Sequence, residues 1–268
     1  MVTFPSCKIN LGLHVLVRRQ DGYHDISTCF YPVPWRDALE ILPAASLEFK
    51  QTGISIPGST ADNLCVKAYE ILKGDFQLPP VRIHLHKVIP TGAGLGGGSS
   101  DAAHALLSLI SIFQLNLSQE QLMGYALRLG SDCPFFTLGE PMIGSGRGEL
   151  LTRASVNLKG FYLVILTPGI HVATAEAYAG VTPKIPTEKL PQLISEPIAS
   201  WKATLSNDFE TSVFKKYPLL GAMKETLYEQ GAIYASMSGS GSSIFGIFEK
   251  EARIENLFMD VPRWSGWL

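Results

Sequence analysis

The sequence has no apolar run that approaches the roughly 20 residues a helix needs to span a bilayer. Neither sign of charge is in excess, because 22 Lys and Arg stand against 24 Asp and Glu in 268 residues, a net charge of −2. Such a balance gives no electrostatic reason to bind nucleic acid. We therefore expect neither a membrane-embedded chain nor a nucleic-acid partner.

The chain also lacks the basic start and small-residue cleavage site of a secretory signal, and it has no Cys-x-x-Cys pair of the kind that binds structural zinc. Its four cysteines stand apart, at Cys7, Cys29, Cys65 and Cys133. We expect them to be reduced, buried thiols of a cytoplasmic protein. Hydrophobic residues make up 46% of the chain, which is enough for a packed core.

Glycine is plentiful, and its densest stretch runs from Pro90 to Asp101, where five of twelve residues are glycine. Glycine lets a backbone turn sharply and approach a ligand closely, because no Cβ interferes. An apolar helical pattern begins just after the stretch, and a helix N-terminus offers unpaired N–H groups and a partial positive charge. The combination predicts a phosphate-binding loop, with a nucleoside triphosphate as the expected ligand.

Two familiar phosphate loops fit this stretch poorly. The Gly-x-x-x-x-Gly-Lys-Ser/Thr loop needs a lysine after its last glycine, whereas Ser99 follows Gly98. The spacing of Gly92, Gly94 and Gly97 matches the dinucleotide pattern Gly-x-Gly-x-x-Gly, but no acidic residue closes a following strand at the expected place. Both alternatives are therefore disfavoured.

Before the glycine stretch, a period-two alternation predicts a strand over 7–17. Alternation places Lys8 and Asn10 on one face, about 6.6 Å apart at a rise of roughly 3.3 Å per residue. Asp21-Gly22 predicts a tight hairpin turn, and Tyr23 and His24 begin the returning strand.

The remaining pattern interleaves helices and strands. It predicts helices over 62–73 (ended by Gly74), from Ala102, over 118–130 (with a Ser118–Gln121 capping box) and over 219–229. It predicts strands over 81–88, 161–166, 233–236 and 244–248. A tight turn is predicted at Ser131-Asp132, and a linker or mobile excursion over 182–197. In the strand over 81–88, Lys87 shares the apolar face, and His84 and His86 share the other. A His-x-His pair can bind metal, but no third ligand is evident nearby, so a polar face is favoured.

Six segments, in chain order, resemble motifs of one enzyme family: 6–13, 21–24, 90–103, 130–136, 206–210 and 237–243. The family is that of the GHMP kinases, which include galactokinase and the homoserine, mevalonate and phosphomevalonate kinases. The resemblance covers the chain from about Pro5 to about Phe248. The triple glycine and the Tyr23-His24 pair resemble the branch that phosphorylates a cytidine diphosphate conjugate of methylerythritol.

The resemblance implies an α/β and α+β chain with the two-domain GHMP kinase fold. Residues 1–155 would form an ATP-binding domain like domain 2 of ribosomal protein S5, and residues 156–268 a ferredoxin-like C-terminal domain. It also implies an active site in the cleft between them.

The resemblance further implies that ATP, with Mg²⁺, phosphorylates the 2-hydroxyl of the methylerythritol conjugate, a step towards isoprenoid precursors by the non-mevalonate route. Asp132 would be the general base and Lys8 would lie beside it, stabilising its charge and that of the phosphoryl group. Tyr23 would stack on the cytosine, His24 would hydrogen-bond it, Thr174 and Tyr178 would complete its pocket, and Asn10 would contact the substrate near Lys8. The implied ATP-binding residues are Pro90, Thr91, Gly92, Ala93, Gly94, Leu95, Gly96, Gly97, Gly98, Ser99 and Ser100.

Some points stay open. Either Ser99 or Ser100 could touch Mg²⁺, and no acidic metal ligand is evident. The small-molecule substrate could instead be the alcohol of another GHMP kinase, or the chain could be a non-catalytic ATP-binding module. The expected assembly is a monomer or a homodimer.

Overall fold

The computed structural model describes residues 1–254 and 257–268 of this chain. Its strands are β1 (Val2–Thr3), β2 (Ser6–Arg18), β3 (His24–Arg36), β4 (Ala38–Pro43), β5 (Glu48–Gly53), β6 (Val81–Lys87), β7 (Met142–Ser145), β8 (Leu150–Arg153), β9 (Tyr162–Leu166), β10 (Tyr234–Met237), β11 (Ile244–Phe248) and β12 (Arg263–Trp267). Its helices are α1 (Leu64–Phe76), α2 (Gly97–Ile112), α3 (Gln119–Leu129), α4 (Cys133–Leu138), α5 (Thr174–Ala179), α6 (Leu190–Ser195), α7 (Ile198–Thr204), α8 (Glu210–Lys216) and α9 (Pro218–Glu229).

Several predicted elements are confirmed. The alternation over 7–17 lies in β2, and the hairpin turn follows it, with Gly22 at a φ of +86°. Helix α3 carries the predicted capping box: Ser118 Oγ accepts the N–H of Gln121, and Gln121 Oε1 accepts the N–H of Ser118. All four cysteines are buried thiols.

Two expectations need correction. Gly74 does not end α1, which continues to Phe76 and is capped by Gln77 at a φ of +53°. The segment over 182–197 is not a plain linker, because it contains α6, whose Leu190, Leu193 and Ile194 are buried. Its Pro191 stands in the first turn of α6, where an N–H has no intrahelical partner to lose.

Two compact units make up the described chain, and each is discontinuous in sequence: 1–7, 35–91 and 96–139 form the first, and 8–34, 92–95 and 140–268 form the second. The sequence-based division at 155/156 stays a prediction.

The first unit has a four-stranded sheet in the order β1-β4-β6-β5. Only β5 and β6 run parallel among its paired strands. Its core is formed by β4 and β6 against α1 and α2, with Ile41, Ile83, Tyr69 and Leu106 among the buried side chains.

The second unit contains an antiparallel sheet in the order β10-β11-β9-β12, together with most of a sheet in the order β2-β3-β7-β8. Leu13 and Val15 of β2 share a buried core with Val164, Leu166 and Phe209. The polar residues of β2 alternate with these core residues, so the hydrophobic pattern decides which way Lys8 and Asn10 point. Among the described helices, none is long and apolar enough to cross a bilayer.

Candidate active site

The glycine stretch supplies both a loop and the start of α2. Gly92, Gly94 and Gly96 adopt φ values of +65°, +78° and +68°, which residues with a Cβ rarely reach. Helix α2 begins at Gly97, five residues before the predicted apolar pattern at Ala102. Gly97, Gly98 and Ser99 therefore present the N–H groups of its first turn, which have no acceptor within the helix. These amides and the helix dipole favour an anion at this point.

The second glycine-rich segment, 237–243, packs against the first. Ser238 Oγ donates to the carbonyl of Gly94 at 2.8 Å, and the N–H of Ser243 donates to the carbonyl of Ala93 at 3.1 Å. A Cβ on Gly94 would overlap the carbonyl oxygen of Ser238. The two loops can approach this closely only because residue 94 is glycine.

Lys8 lies against the glycine loop and is only 3% exposed. Its ammonium donates to the carbonyl of Gly94 at 2.8 Å and to Asn10 Oδ1 at 2.6 Å, and it lies 5.4 Å from the centroid of the Phe30 ring. The Lys8 N–H donates to the carbonyl of Leu95 at 3.0 Å. Two oxygen acceptors therefore hold the buried Lys8 ammonium beside the loop.

Asn10 is buried and orients Lys8. Its Nδ2 donates to Thr28 Oγ1 at 2.9 Å, and the Thr28 hydroxyl donates to the carbonyl of Gly12 at 2.6 Å. Because the amide nitrogen is committed to Thr28, Oδ1 faces Lys8 as an acceptor. Thr28, which sequence analysis missed, completes this chain of donors.

The segment at 206–210 holds the second glycine-rich loop in place. Asn207 Nδ2 donates to the carbonyls of Met237 and Gly239, both at 2.8 Å. The Glu210 carboxylate accepts from the Met237 N–H at 2.8 Å and from Lys224 Nζ at 2.6 Å. These residues therefore support the loop that in turn contacts Gly94.

His24 is the first residue of β3 and Tyr23 directly precedes it, and the two rings have different partners. The His24 ring stacks on Tyr178 of α5, with centroids 4.8 Å apart and planes 20° apart. Tyr23 is 56% exposed, and the guanidinium of Arg147 lies 4.8 Å from its ring centroid. Thr174 Oγ1, at the start of α5, lies 3.5 Å from the hydroxyl oxygen of Ser240.

Asp132 ends the tight turn between α3 and α4 and directly precedes α4. This turn packs against the first turn of α2: a Cβ on Gly130 would lie 3.4 Å from Cys133 Sγ and 3.9 Å from Ser99 Oγ. Burial raises the pKa of Cys133 to about 12, so it stays a neutral thiol there. The turn that carries Asp132 is thereby fixed beside Ser99.

A buried ion-pair cluster lies beneath the first turn of α2. Lys87 Nζ contacts the carboxylate of Asp37 and lies 2.8 Å from Asp101 Oδ2, and a Cβ on Gly97 would come within 2.9 Å of the same nitrogen. Burial alone would lower the pKa of Lys87, but the two carboxylates outweigh it and raise that pKa. The position of Lys87 on the apolar face of β6 is the feature of the sequence that could have indicated this cluster, because a buried ammonium needs anionic partners.

The described residues hold no group of three or more His, Cys, Asp or Glu suited to a metal ion. His84 Nε2 and His86 Nδ1 lie 3.0 Å and 2.9 Å from the hydroxyl oxygen of Thr52. The two imidazoles therefore have a polar neighbour in β5.

Comparison with known proteins identifies the class. The model of the GHMP kinases N terminal domain matches residues 63–140, and that of the GHMP kinases C terminal domain matches residues 190–263. A crystal structure of the mevalonate kinase of Methanococcus jannaschii has the same fold, with a TM-score of 0.73 at 14% identity, covering 100% of this chain and 98% of that one. This chain belongs to the GHMP kinase family.

More similar proteins carry a narrower description. A protein of Cytophaga hutchinsonii is 51% identical over 249 residues (92% of each chain), and one of Bacteroides thetaiotaomicron is 50% identical over 258 residues (95% of this chain and 94% of that one). Both are described as 4-diphosphocytidyl-2-C-methyl-D-erythritol kinase. A crystal structure of 4-(cytidine 5'-diphospho)-2C-methyl-D-erythritol kinase superposes with a TM-score of 0.82 at 33% identity, covering 99% of this chain and 98% of that one.

Proposed function

We propose that this protein is an ATP-dependent kinase that phosphorylates the 2-hydroxyl of 4-diphosphocytidyl-2-C-methyl-D-erythritol, in the non-mevalonate route to isoprenoid precursors. The observation that carries the proposal is the near-complete match, at about half identity, to relatives with that description. The chain has a candidate for each requirement of phosphoryl transfer: Lys8 for charge, the glycine loop for positioning the phosphates, and Asp132 for orienting the attacking hydroxyl.

The glycine loop is the proposed cradle for the triphosphate. The first-turn amides of α2 would bind phosphate oxygens, and the close contact of Gly94 with segment 237–243 keeps the loop in one conformation. Backbone amides can bind the phosphates without a lysine side chain, which agrees with Ser99, and not lysine, following Gly98.

Mg²⁺ would neutralise charge on the phosphates, and the residues here suit an ion held mainly by phosphate and water. Ser99 fits a metal or phosphate contact better than Ser100, because the Ser100 side chain is fully buried in α2 whereas Ser99 is only half-buried. No carboxylate cluster is required for this role.

Asp132 is the proposed general base, accepting the proton of the attacking hydroxyl, and Lys8 the cation that stabilises charge developing on the transferred phosphoryl group. Asn10 and the carbonyl of Gly94 hold the Lys8 ammonium with two hydrogen bonds. A fixed cation loses no energy to reorganisation during the reaction, which is how such groups lower a barrier.

Tyr23, His24, Thr174 and Tyr178 are the proposed cytosine site. Aromatic rings bind a base by stacking, and an imidazole can hydrogen-bond the base edge. The stacking of His24 on Tyr178 keeps the imidazole plane fixed, so its ring nitrogens point in defined directions.

The activity test compares the wild type with Asp132→Asn and Lys8→Met in a direct assay of phosphoryl transfer to the cytidyl substrate. We expect Asp132→Asn to lower kcat by about 10²–10⁴-fold, the range for removal of a general base, and Lys8→Met to lower it also. Asp75→Asn, which alters an exposed carboxylate paired with Arg128, should match the wild type. An inactive wild type would refute the proposal, and a fully active Asp132→Asn would refute the role of Asp132.

Competition with cytidine diphosphate separates the first alternative, and the turnover assay separates the second. A GHMP kinase acting on a small alcohol would not be inhibited by it, and a non-catalytic module would bind ATP without turnover. The Tyr23-His24 pair favours the cytidyl kinase. We further propose that the protein works in the cytoplasm as a monomer or homodimer, without a nucleic-acid or membrane partner.

A further inference from the structure

A third glycine-rich segment, Gly144-Ser145-Gly146-Arg147-Gly148-Glu149, forms the hairpin between β7 and β8. The carbonyl of Gly146 accepts the N–H of Ile26 at 2.7 Å, which ties the hairpin to β3 two residues after His24. Gly146 and Gly148 adopt φ values of +66° and +106°. Glycine is therefore required for the turn that presents Arg147.

The hairpin extends from Tyr23, in the proposed base site, to the Phe30 ring that lies beside Lys8. A Cβ on Gly144 would overlap the ring of Phe30, and one on Gly148 would lie 3.5 Å from it. Lys8 Nζ lies 5.4 Å from the centroid of that same ring. At its tip, the Arg147 guanidinium lies over Tyr23.

The guanidinium of Arg147 has N–H donors available for a ligand. Its backbone N–H donates to Glu149 Oε2 at 2.6 Å, but the nearest approach of its Nε to that carboxylate is 3.8 Å, longer than a hydrogen bond. A guanidinium has five N–H donors. The side chain is 33% exposed, so these donors are accessible while one face is held by the Tyr23 ring.

We infer that Arg147 binds the diphosphate of the cytidyl substrate and makes the enzyme selective for a nucleoside diphosphate over a nucleoside. This inference rests on the proposed function. In that substrate the diphosphate joins the cytidine, whose base is placed at Tyr23 and His24, to the reacting alcohol, placed near Lys8. Arg147 lies on the hairpin that spans those two places, and a planar guanidinium pairs with phosphate through two parallel hydrogen bonds.

The test uses Arg147→Met, which keeps an apolar side chain against Tyr23 and removes the charge. Calorimetry measures the affinity of the intact protein for cytidine and for cytidine diphosphate. We expect the diphosphate to bind about tenfold or more weakly, as for loss of a charged hydrogen bond, whereas cytidine affinity changes by less than about twofold. KM for the cytidyl substrate should rise, and KM for ATP should not.

Arg153→Met is the matched control, since Arg153 lies in β8, is 82% exposed and pairs with Glu140. It should leave both affinities unchanged. Equal weakening of cytidine and cytidine diphosphate in Arg147→Met would mean that Arg147 only supports Tyr23, and no change in either would also overturn the inference. If Arg147→Met unfolds, Arg147→Lys, which keeps the charge but loses the planar fork, should show a smaller loss confined to the diphosphate.

The outcomes separate this inference from the proposed function. A wild type that binds neither cytidine nor cytidine diphosphate refutes both. A wild type that binds and phosphorylates the cytidyl substrate, together with an Arg147→Met variant of equal diphosphate affinity, refutes the role of Arg147 alone.

Discussion

Gly94 leaves no room for a side chain. Its φ of +78° costs a residue with a Cβ about 1–2 kcal/mol, and that Cβ would also overlap the carbonyl oxygen of Ser238. We expect Gly94→Ala to lower the free energy of unfolding by more than about 2 kcal/mol and to weaken ATP binding, because the loop must move. Urea denaturation and nucleotide titration measure the two effects.

Gly98 provides the contrast within the same stretch. It lies in the first turn of α2, and a Cβ there would meet no atom within 4 Å. Alanine favours a helix over glycine, so Gly98→Ala should keep or raise the urea midpoint. Equal losses in the two variants would show that the loop does not depend on close approach at residue 94.

At the scale of single residues, local sequence patterns predict the candidate site residues but not the contacts that these residues make. Lys8 and Asn10 were assigned to one face of a strand, and period-two alternation suffices for that. Their partners Gly94, Thr28 and Ser238 are distant in sequence, and no local pattern encodes such pairings. Arg147 could not be predicted for a similar reason. A short Gly-x-Gly-x-Gly turn is common in sequences, and a ligand-binding role is indicated only by the contacts of this turn with Tyr23 and Phe30.

The junction of β6 and α2 depends on a buried charge cluster. Lys87, at the end of β6, pairs with Asp101 of α2 and with Asp37, which also accepts the N–H of Ile89 at 2.9 Å. Lys87→Met leaves two carboxylates buried without their cation, a loss that typically costs about 3–5 kcal/mol. We expect the urea midpoint to fall accordingly with an unchanged m-value.

A surface pair is the control for that experiment. Lys73 lies 3.6 Å from Glu70 on α1, and both side chains are about half exposed. Such pairs contribute at most about 1 kcal/mol, so Lys73→Met should have little effect. If Lys87→Met is no more destabilising than Lys73→Met, the cluster does not hold the junction. Adding Asp101→Asn to Lys87→Met should recover part of the loss, since one unpaired carboxylate is removed.

Elements with strong periodicity were predicted well, and those that depend on distant partners were not. The alternation of β2 and the capping box of α3 are local signals. Helix α6 has six residues, too few for a periodic pattern, and its stability comes from the burial of Leu190, Leu193 and Ile194. Strand β12 forms only by pairing with β9, where Trp264 lies opposite Ile165.

At the scale of the whole chain, the sequence predicts the family but not the division into compact units. Class and family followed from the order of six segments, because each carries a chemical requirement. The two compact units could not be read from the sequence, since each gathers three stretches of chain. The short stretch 92–95 belongs to the second unit, together with residues far away in sequence, because of contacts such as that of Ser238 with Gly94.

Stability of the whole molecule should fall in mild acid. Burial lowers the pKa of His14, an effect that Asp208 opposes and Lys184 reinforces, and burial, with Arg36, lowers the pKa of His104. Near pH 6.5 and below, the unfolded chain protonates these imidazoles while the folded chain holds them neutral. The unfolded state then binds more protons, so the free energy of unfolding decreases as pH falls.

His14→Gln isolates one of these groups. His14 is 5% exposed, and its Nδ1 has no hydrogen-bond partner among the described residues. The free energy of unfolding, measured by urea denaturation between pH 8 and pH 5.5, should depend less steeply on pH in the variant, by at most about 1.4 kcal/mol per pH unit for one proton. Asp101, whose pKa burial raises, acts in the opposite sense but equally in both proteins, and so cancels in the difference. Identical pH slopes would mean that His14 is protonated in the folded protein as readily as in the unfolded chain, whatever the level of stability at pH 8.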